Sequence, residues 1–206
     1  MNQWGIKTIT RDSTDYPGNI ELFLGEESPA TVSMIGNENI LSNPKLALFC
    51  SSKCQGSVIL KTYDLAQELR AQGQTVISGF HSPMEKECLA ILLRSTNPVI
   101  ICPARGLGKM RIRVEWKEAL SEGRLLILSP FPPEMKRGTA KDAQYRNLFV
   151  TALTDEILIA HAGTGSKLNN LAQKIASWGK PLFTLAGDAN KNLTKLGYKP
   201  LRLNAG

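Results

Sequence analysis

The chain has 206 residues, a formal charge of +7 and a pI of about 9.3, which bounds one domain with at most a small appendage. It contains no run of about eighteen apolar residues, so no membrane span is expected, and M-N-Q-W-G-I-K-T lacks the apolar region of a secretory leader, so a cytoplasmic location is expected. The basic balance points to a polyanion such as nucleic acid, although many basic proteins bind none.

Residues 1–44 read as an irregular N-terminal arm packed on the core. Asp15, Pro17, Gly18, Pro29 and Gly36 punctuate it. Ile20, Leu22, Phe23 and Leu24 suit a short helix or turn, and Val32–Ile35 a short strand. From residue 45 to 206 apolar strands alternate with helices. Leu46–Cys50 is the first strand. Val58, Thr62, Leu65, Ala66 and Leu69 make a helical face that Gly73 stops. Thr75–Ser78 is the next strand. Ser82-Pro83-Met84-Glu85 then opens a helix with a serine cap, a proline in the first turn and a glutamate three residues on. Val99–Cys102 is a strand, and a helix is expected over Arg111–Ser121, ending at Gly123. Leu125–Leu128 is a strand followed by the turn Pro130-Phe131-Pro132-Pro133. A helix near Ala143–Leu153, a strand at Ile157–Ala160, a further helix and a strand at Pro181–Leu185 complete the pattern. Strands and helices in this alternation give an α/β fold, a doubly wound, mainly parallel sheet with helices on both faces.

The stretch Asp155–Trp178 organises the rest. An apolar run, Ile157–Ala160, has the character of a strand buried on both faces. Gly163, Thr164 and Gly165 break the pattern, and from Ser166 onward Leu168, Leu171, Ala172, Ile175 and Ala176 share one helical face. A glycine loop leading into a helix presents backbone N–H groups where the macrodipole favours an anion, and Lys167 adds a charge. Two readings stand: a phosphate cradle, or glycines that simply make the turn. The loop is not a dinucleotide fingerprint, since Leu168 occupies the third glycine position. It is not a P-loop either. Gly108-Lys109 precedes Met110 and Gly179-Lys180 precedes Pro181, so no hydroxyl follows to hold magnesium.

Ligands of such sheets sit beyond the carboxyl ends of the strands. The stretches that converge there are Ser51-Ser52-Lys53, Ser78-Gly79-Phe80, Pro103-Ala104-Arg105-Gly106, Ser129-Pro130 and Ala162–Gly165. Arg105, Lys109, Arg111 and Arg113 follow the third strand with no acid among residues 105–113, and Lys136, Arg137, Lys141 and Arg146 follow the fourth. These read as a functional stripe or as solvated surface charge. Phe131 and Tyr145 suit either stacking on bases or packing. No carboxylate pair and no nucleophile–base pair appears at these ends. Glu85 and Glu87 read as first-turn helix residues. Cys50-x-x-x-Cys54 without a second pair is poor evidence for zinc, and His81 and His161 are too few for a histidine metal site. No cofactor and no metal are expected, and a non-catalytic role is favoured over an enzyme.

The ordered pieces resemble the DNA-processing protein A (DprA/Smf) family. Tyr16-Pro17 followed by Pro29 and Gly36 resembles its lead-in. Leu46–Lys53 stands where the family has a strand ending in glycine-serine-arginine. Val76-Ile77-Ser78-Gly79 matches its V-x-S-G, and Tyr145-Arg146-Asn147 with Ala152-Leu153 resembles its F-x-x-R-N-R-I-I-A-x-L-S. Ala162–Ser166 sits at its S-G-S position, and Lys180–Thr184 is similar to its closing strand. The likeness covers residues 15–188.

The resemblance implies a Rossmann-like core that binds single-stranded DNA in a positively charged pocket, often as a homodimer, and loads a RecA-type recombinase during natural transformation. Carried over by position, Ser51, Ser52 and Lys53 would meet a phosphate and Ser78 and Gly79 would floor the pocket. Arg146 and Asn147 would brace the last loop or touch DNA, and Gly163, Thr164, Gly165, Ser166 and Lys167 would receive a phosphate. The chain departs from the pattern in several places. Phe80-His81-Ser82 replaces R-G-I-D, Lys53 replaces arginine and its bidentate fork, and Leu148 replaces the second arginine of R-N-R. Ala104–Arg113 replaces the G-L-D loop, and no winged-helix extension is expected. These departures leave three expectations: DNA binding weakened, moved to the Arg105–Arg113 loop, or replaced by another ligand. The alternative is a nucleotide sensor or nucleotide-processing enzyme of the wider superfamily. Against hydrolysis, Asn169 stands where the phosphoribohydrolases of that superfamily carry glutamate.

Overall fold

A computed structural model describes residues 4–201; residues 1–3 and 202–206, the outer ends of the expected arm and core, lie outside it. Nine strands form one sheet: β1 (Lys7–Thr10), β2 (Thr31–Gly36), β3 (Lys45–Cys50), β4 (Thr75–Ser78), β5 (Val99–Ile101), β6 (Leu125–Ser129), β7 (Glu156–His161), β8 (Leu182–Leu185) and β9 (Lys199–Leu201). Seven α-helices join them: α1 (Gly18–Leu24), α2 (Gly56–Ala71), α3 (Pro83–Leu92), α4 (Val114–Ser121), α5 (Ala140–Leu153), α6 (Lys167–Ile175) and α7 (Lys191–Lys195). The spatial order is β1-β2-β6-β5-β4-β3-β7-β8-β9. β3 to β9 run parallel, while β2 pairs antiparallel with β6 and β1 antiparallel with β2.

Alternation along the strands builds two cores at once. Ala47, Phe49, Ile157 and Ile159 point to one face, where α1, α5, α6 and α7 contribute Ile20, Phe149, Ile175 and Leu193. Leu48, Cys50, Leu158 and Ala160 point to the other, where α2, α3 and α4 contribute Leu65, Cys88 and Trp116. The chain steps from β3 outward to β6 with helices on one face. It then returns across the opposite face through α5 and places β7 against β3. Strand order reverses there, which is where doubly wound sheets open a ligand crevice.

Several local expectations are corrected. The segment before β3 is more regular than its punctuation suggests. β1 extends the sheet with only Ile9 buried, so its K-T-I-T pattern carries too few apolar residues to stand out. The helix expected from Arg111 begins at Val114, with Arg113 in extended conformation before it. Residues 106–108 are tied to the 132–135 turn, and this holds the chain out of helix until then. α5 starts at Ala140, three residues earlier than expected, because Thr139 and Asp142 form a reciprocal capping box. β9 escapes sequence reading because it contains Pro200 and lies at the sheet edge, where proline is tolerated.

Lys180 anchors the return limb. Its ammonium donates to the carbonyls of Thr151, Ala152 and Thr154 at 2.7, 2.7 and 2.5 Å, closing the last turn of α5, and lies 4.1 Å from the Phe23 ring centroid. Burial pushes its pKa down to about 8, against the pull of the Asp155 carboxylate. Lys180→Met removes the donor and leaves the Ala152 and Thr154 carbonyls without it, at about 1–3 kcal/mol. Thermal unfolding should drop by roughly 3–10 °C for a chain of this size; a melting temperature within a degree of wild type would show that the cap is not needed.

Candidate functional site

The crevice is made by the exits of β3 and β7. Cys50 registers with His161, and the Ser51 amide donates to the His161 carbonyl at 2.9 Å, so the two following loops start side by side. The β3 exit, Ser51-Ser52-Lys53, leads into α2. Gln55 precedes that helix without capping it, and among the described residues no acceptor serves the amides from Ser52 to Ser57. The β7 exit leads into α6 through Gly163-Thr164-Gly165. Ser166 caps that helix by accepting from the Asn169 amide at 3.1 Å, and its own amide donates to the Gly163 carbonyl at 3.0 Å. Among the described residues the amides of Thr164, Gly165, Lys167 and Leu168 have no acceptor. Two helix N-termini with unsatisfied donors therefore face one crevice, with Lys53 and Lys167 exposed beside them.

The two loop glycines differ in cause. Gly165 has φ of 72°, which only glycine adopts freely. Gly163 does not, and a Cβ built on it would meet nothing within 4 Å. Neither strain nor packing within the chain accounts for glycine at 163.

A second layer braces this surface. The buried Glu85 carboxylate completes the capping box of α3, accepting from Ser82 and His81 amides at 3.2 and 2.9 Å, and reaches across to the Cys50 amide at 3.0 Å. It thereby ties the β3 exit to the β4 exit. The first-turn reading of Glu85 holds, but its long-range bond has no signature in sequence. Next to it Phe80 adopts φ of 45°, the one positive-φ non-glycine residue among those described. Ser78 is fully buried, its hydroxyl accepting from the Phe80 amide at 3.3 Å, so it shapes the floor and does not reach a ligand.

Arg146 is buried too. Its Nη1 donates to the Cys102 carbonyl at 2.6 Å and its Nε to Asn147 Oδ1 at 2.7 Å. The guanidinium covers Gly79 so closely that a Cβ there would lie 1.3 Å from Nη1. Burial lowers the Arg146 pKa while the nearby Glu85 charge supports the cation. Nη2 has no acceptor among the described residues. Arg146 and Asn147 are thus first a brace beneath the ends of β4 and β5.

The basic loops after β5 and β6 form one body. Gly106 and Gly108 donate to Met135 and Pro133 carbonyls at 2.9 and 2.8 Å, and the Ser129 hydroxyl donates to the Arg105 carbonyl at 2.7 Å. A Cβ on Gly138 would lie 1.8 Å from the Ala104 carbonyl oxygen, so this zipping leaves no room for a side chain. Arg105 and Lys109 are brought beside Lys136 and Arg137. Arg113 pairs with Glu115 at 3.7 Å and stacks 5.1 Å above Trp116, whereas Arg111 is exposed with no partner among the described residues. Phe131 and Tyr145 are packed against each other, edge to face at 5.8 Å, with the Tyr145 hydroxyl donating to the Glu27 carbonyl; they are not a stacking platform.

Of the groups suited to proton transfer, Glu85 and His161 are engaged. His161 Nδ1 lies 2.8 Å from Asn190 Oδ1. Burial pushes the Cys88 and Cys102 thiols up to about 12 and raises Cys50 as well, and all four cysteines are unpaired. Among the described residues no three His, Cys, Asp or Glu side chains gather to hold a metal, and no helix is long and apolar enough to cross a membrane. Asn192 steadies the glycine loop from behind, donating to the Ala162 carbonyl at 2.8 Å and to Asn169 Oδ1 at 2.7 Å.

Comparison with known proteins bears on this arrangement. DNA processing protein A from Streptococcus pneumoniae superposes with a TM-score of 0.78 at 18% identity, over 95% of this chain and 71% of that one. The protein of that name from Helicobacter pylori, whose structure describes a single-stranded DNA binding mode, superposes at 0.76 with 20% identity over 96% and 90%. The molybdenum cofactor binding protein of Rippkaea orientalis shares the fold more distantly, at 0.53 and 12% identity over 78% and 90%. No curated protein matches by sequence. The family model for DNA recombination-mediator protein A matches residues 7–203. The nine-stranded Rossmann-like sheet and this match over nearly the whole chain lead to one conclusion: the chain belongs to the DNA recombination-mediator protein A family.

Proposed function

We propose that the β3–β7 crevice grips single-stranded DNA by its phosphates and does not cut it. The observation that carries this is Gly163, a glycine that the chain's own backbone and packing do not need, set between two helix N-termini with free amides. Lys53 and Lys167 add charge at the crevice, and the zipped basic loops carry Arg105, Lys109, Arg111 and Arg113 along the same carboxyl rim. Strand spacing of about 4.8 Å puts the β5 exit on the order of 10 Å from the β3 exit, within reach of a strand lying across the rim. Binding without cleavage is supported by the engagement of Glu85 with three amides and of His161 with Asn190. Family membership supports DNA as the polyanion. In the role the family likeness suggests, the chain would act in the cytoplasm as a homodimer and hand the strand to a RecA-type recombinase during natural transformation.

The two glycines separate grip from scaffold. Gly163→Ala should melt within about 2 °C of wild type yet bind a single-stranded oligonucleotide about tenfold or more weakly, the value of a lost charge-assisted hydrogen bond. Gly79→Ala must displace the buried Arg146 guanidinium and should melt at least about 5 °C lower. Gly163→Ala with undiminished affinity would sink the cradle.

The cations have their own signature. Replacing Lys53, Arg105 and Lys167 together by Ala should flatten the slope of log K against log salt by about 2, from about 0.7 per phosphate contact on single strands. Fluorescence anisotropy at several salt concentrations reads this, and an unchanged slope would place the strand elsewhere.

A further inference from the structure

Cys50 and Cys54 bracket the β3 exit loop, and the proposed grip uses neither side chain. Cys50 ends β3 and is buried, with its amide donating to the Glu85 carboxylate at 3.0 Å. The chain then bends at Ser52 and Lys53 and brings half-buried Cys54 back onto the apolar cluster that holds Cys50 and Cys88. The Cys54 thiol is there a hydrogen-bond partner of the Cys50 thiol, and burial together with that neighbour pushes the Cys50 thiol up. Cys88, the third thiol of the cluster, is buried and donates to the Thr62 carbonyl at 3.9 Å. None of the three is in a disulfide.

The two ends of the loop are held differently. Cys50 is fixed by the sheet and by Glu85. From Ser52 to Ser57 no backbone amide has an acceptor among the described residues, so Cys54 can close on Cys50 with no such bond to break. Exposure differs in the same sense: an oxidant meets Cys54 first, and Cys50 lies behind it.

We propose that Cys50 and Cys54 form a site of reversible oxidation, in which a peroxide closes a disulfide across Ser51-Ser52-Lys53 and loosens the crevice's hold on DNA. The effect on DNA rests on the reading of the crevice as a single-stranded DNA site; the bridge itself does not. In the first step the Cys54 sulfur, having lost its proton, attacks one peroxide oxygen. The O–O bond breaks, the departing hydroxide takes up the proton as water, and Cys54 becomes a sulfenic acid. In the second step the Cys50 sulfur displaces the hydroxyl from the Cys54 sulfur. The S–S bond forms, and the hydroxyl leaves with the Cys50 proton as a second water. Peroxide gains two electrons and the two thiols lose two. A dithiol reverses the bridge by exchange. A disulfide holds its Cβ atoms about 3.8 Å apart, so the short ring between Cys50 and Cys54 has to take up the closure. The amides of Ser52 and Lys53 lie inside that ring and turn with it, out of the line they share with the α6 N-terminus.

The test treats the whole protein with hydrogen peroxide, alkylates the remaining thiols in denaturant and reads tryptic peptides by mass spectrometry. Anisotropy with a labelled single-stranded oligonucleotide runs in parallel. Trypsin cuts after Lys53, so the bridge should join peptides 46–53 and 54–61, with the loss of two hydrogens, and dithiothreitol should release them. Cys88 and Cys102 should be recovered alkylated. The oxidised protein should bind the strand about tenfold or more weakly than the reduced one, the value of a lost charge-assisted hydrogen bond. Cys54→Ser should give no linked peptides and one affinity before and after peroxide. Cys50→Ala is a second protein without the bridge should the serine variant fail to fold, and Cys88→Ala should keep both the bridge and the loss of affinity. Cys54 over-oxidised to sulfinic acid beside a free Cys50, or a bridge that takes in Cys88, overturns the pair. A Cys50–Cys54 bridge that leaves affinity unchanged overturns its effect on the crevice. A reduced protein that binds no strand at low salt overturns the crevice reading alone, and the peptide masses then decide the bridge.

Discussion

The arrangement depends on the seam between β3 and β7. These strands are more than a hundred residues apart in sequence, and their pairing is what reverses the strand order. The seam does more than join two halves of a sheet. Its last bond, from the Ser51 amide to the His161 carbonyl, fixes where two loops leave the sheet and so where two helices begin. An isolated helix N-terminus is a weak attractor for anions. Two of them open at adjacent strand exits, one on each face of the sheet, each with amides that find no acceptor among the described residues.

Beneath that concavity the protein keeps two opposite charges out of water. Glu85 is tied to three amides and Arg146 to a carbonyl and an amide oxygen, and the Glu85 charge supports the Arg146 cation. A buried charge with its partners removed costs several kcal/mol, so both side chains are confined to one geometry. That geometry spans the exits of β3, β4 and β5. The rim is stiff because its support is electrostatic as well as apolar, and Phe80 is held in a left-handed conformation within it.

Much of this was legible in the sequence. Apolar runs and switches of period placed the parallel strands and most helices, and the sheet rule then collected Ser51–Lys53, Ser78, Arg105 and Gly163 on one rim. What stayed hidden was of three kinds. Edge strands such as β1 and β9 bury too little to leave a periodic trace. The role of a buried charge was left open: the sequence reads Arg146 as a brace or a DNA contact, and its enclosure comes from Gly79 and Cys102, far away in the chain. Finally, the zipping of the loops after β5 and β6 runs between backbone groups, which no side-chain pattern records.

The glycines show how one residue type answers different constraints, and why a motif alone cannot rank them. Gly79 is glycine because Arg146 fills the space, Gly138 because the Ala104 carbonyl does, and Gly165 because its φ is positive. Each is explained from within the fold and would be needed whether or not anything bound. Gly163 and Gly56, one on each of the two crevice loops, have ordinary backbone and open space before them. A glycine costs conformational entropy on folding wherever it sits, so one that the fold does not need is most simply kept for what approaches from outside. On the proposed grip, the functional information of the A-G-T-G-S stretch lies in its first glycine, and the second makes the turn.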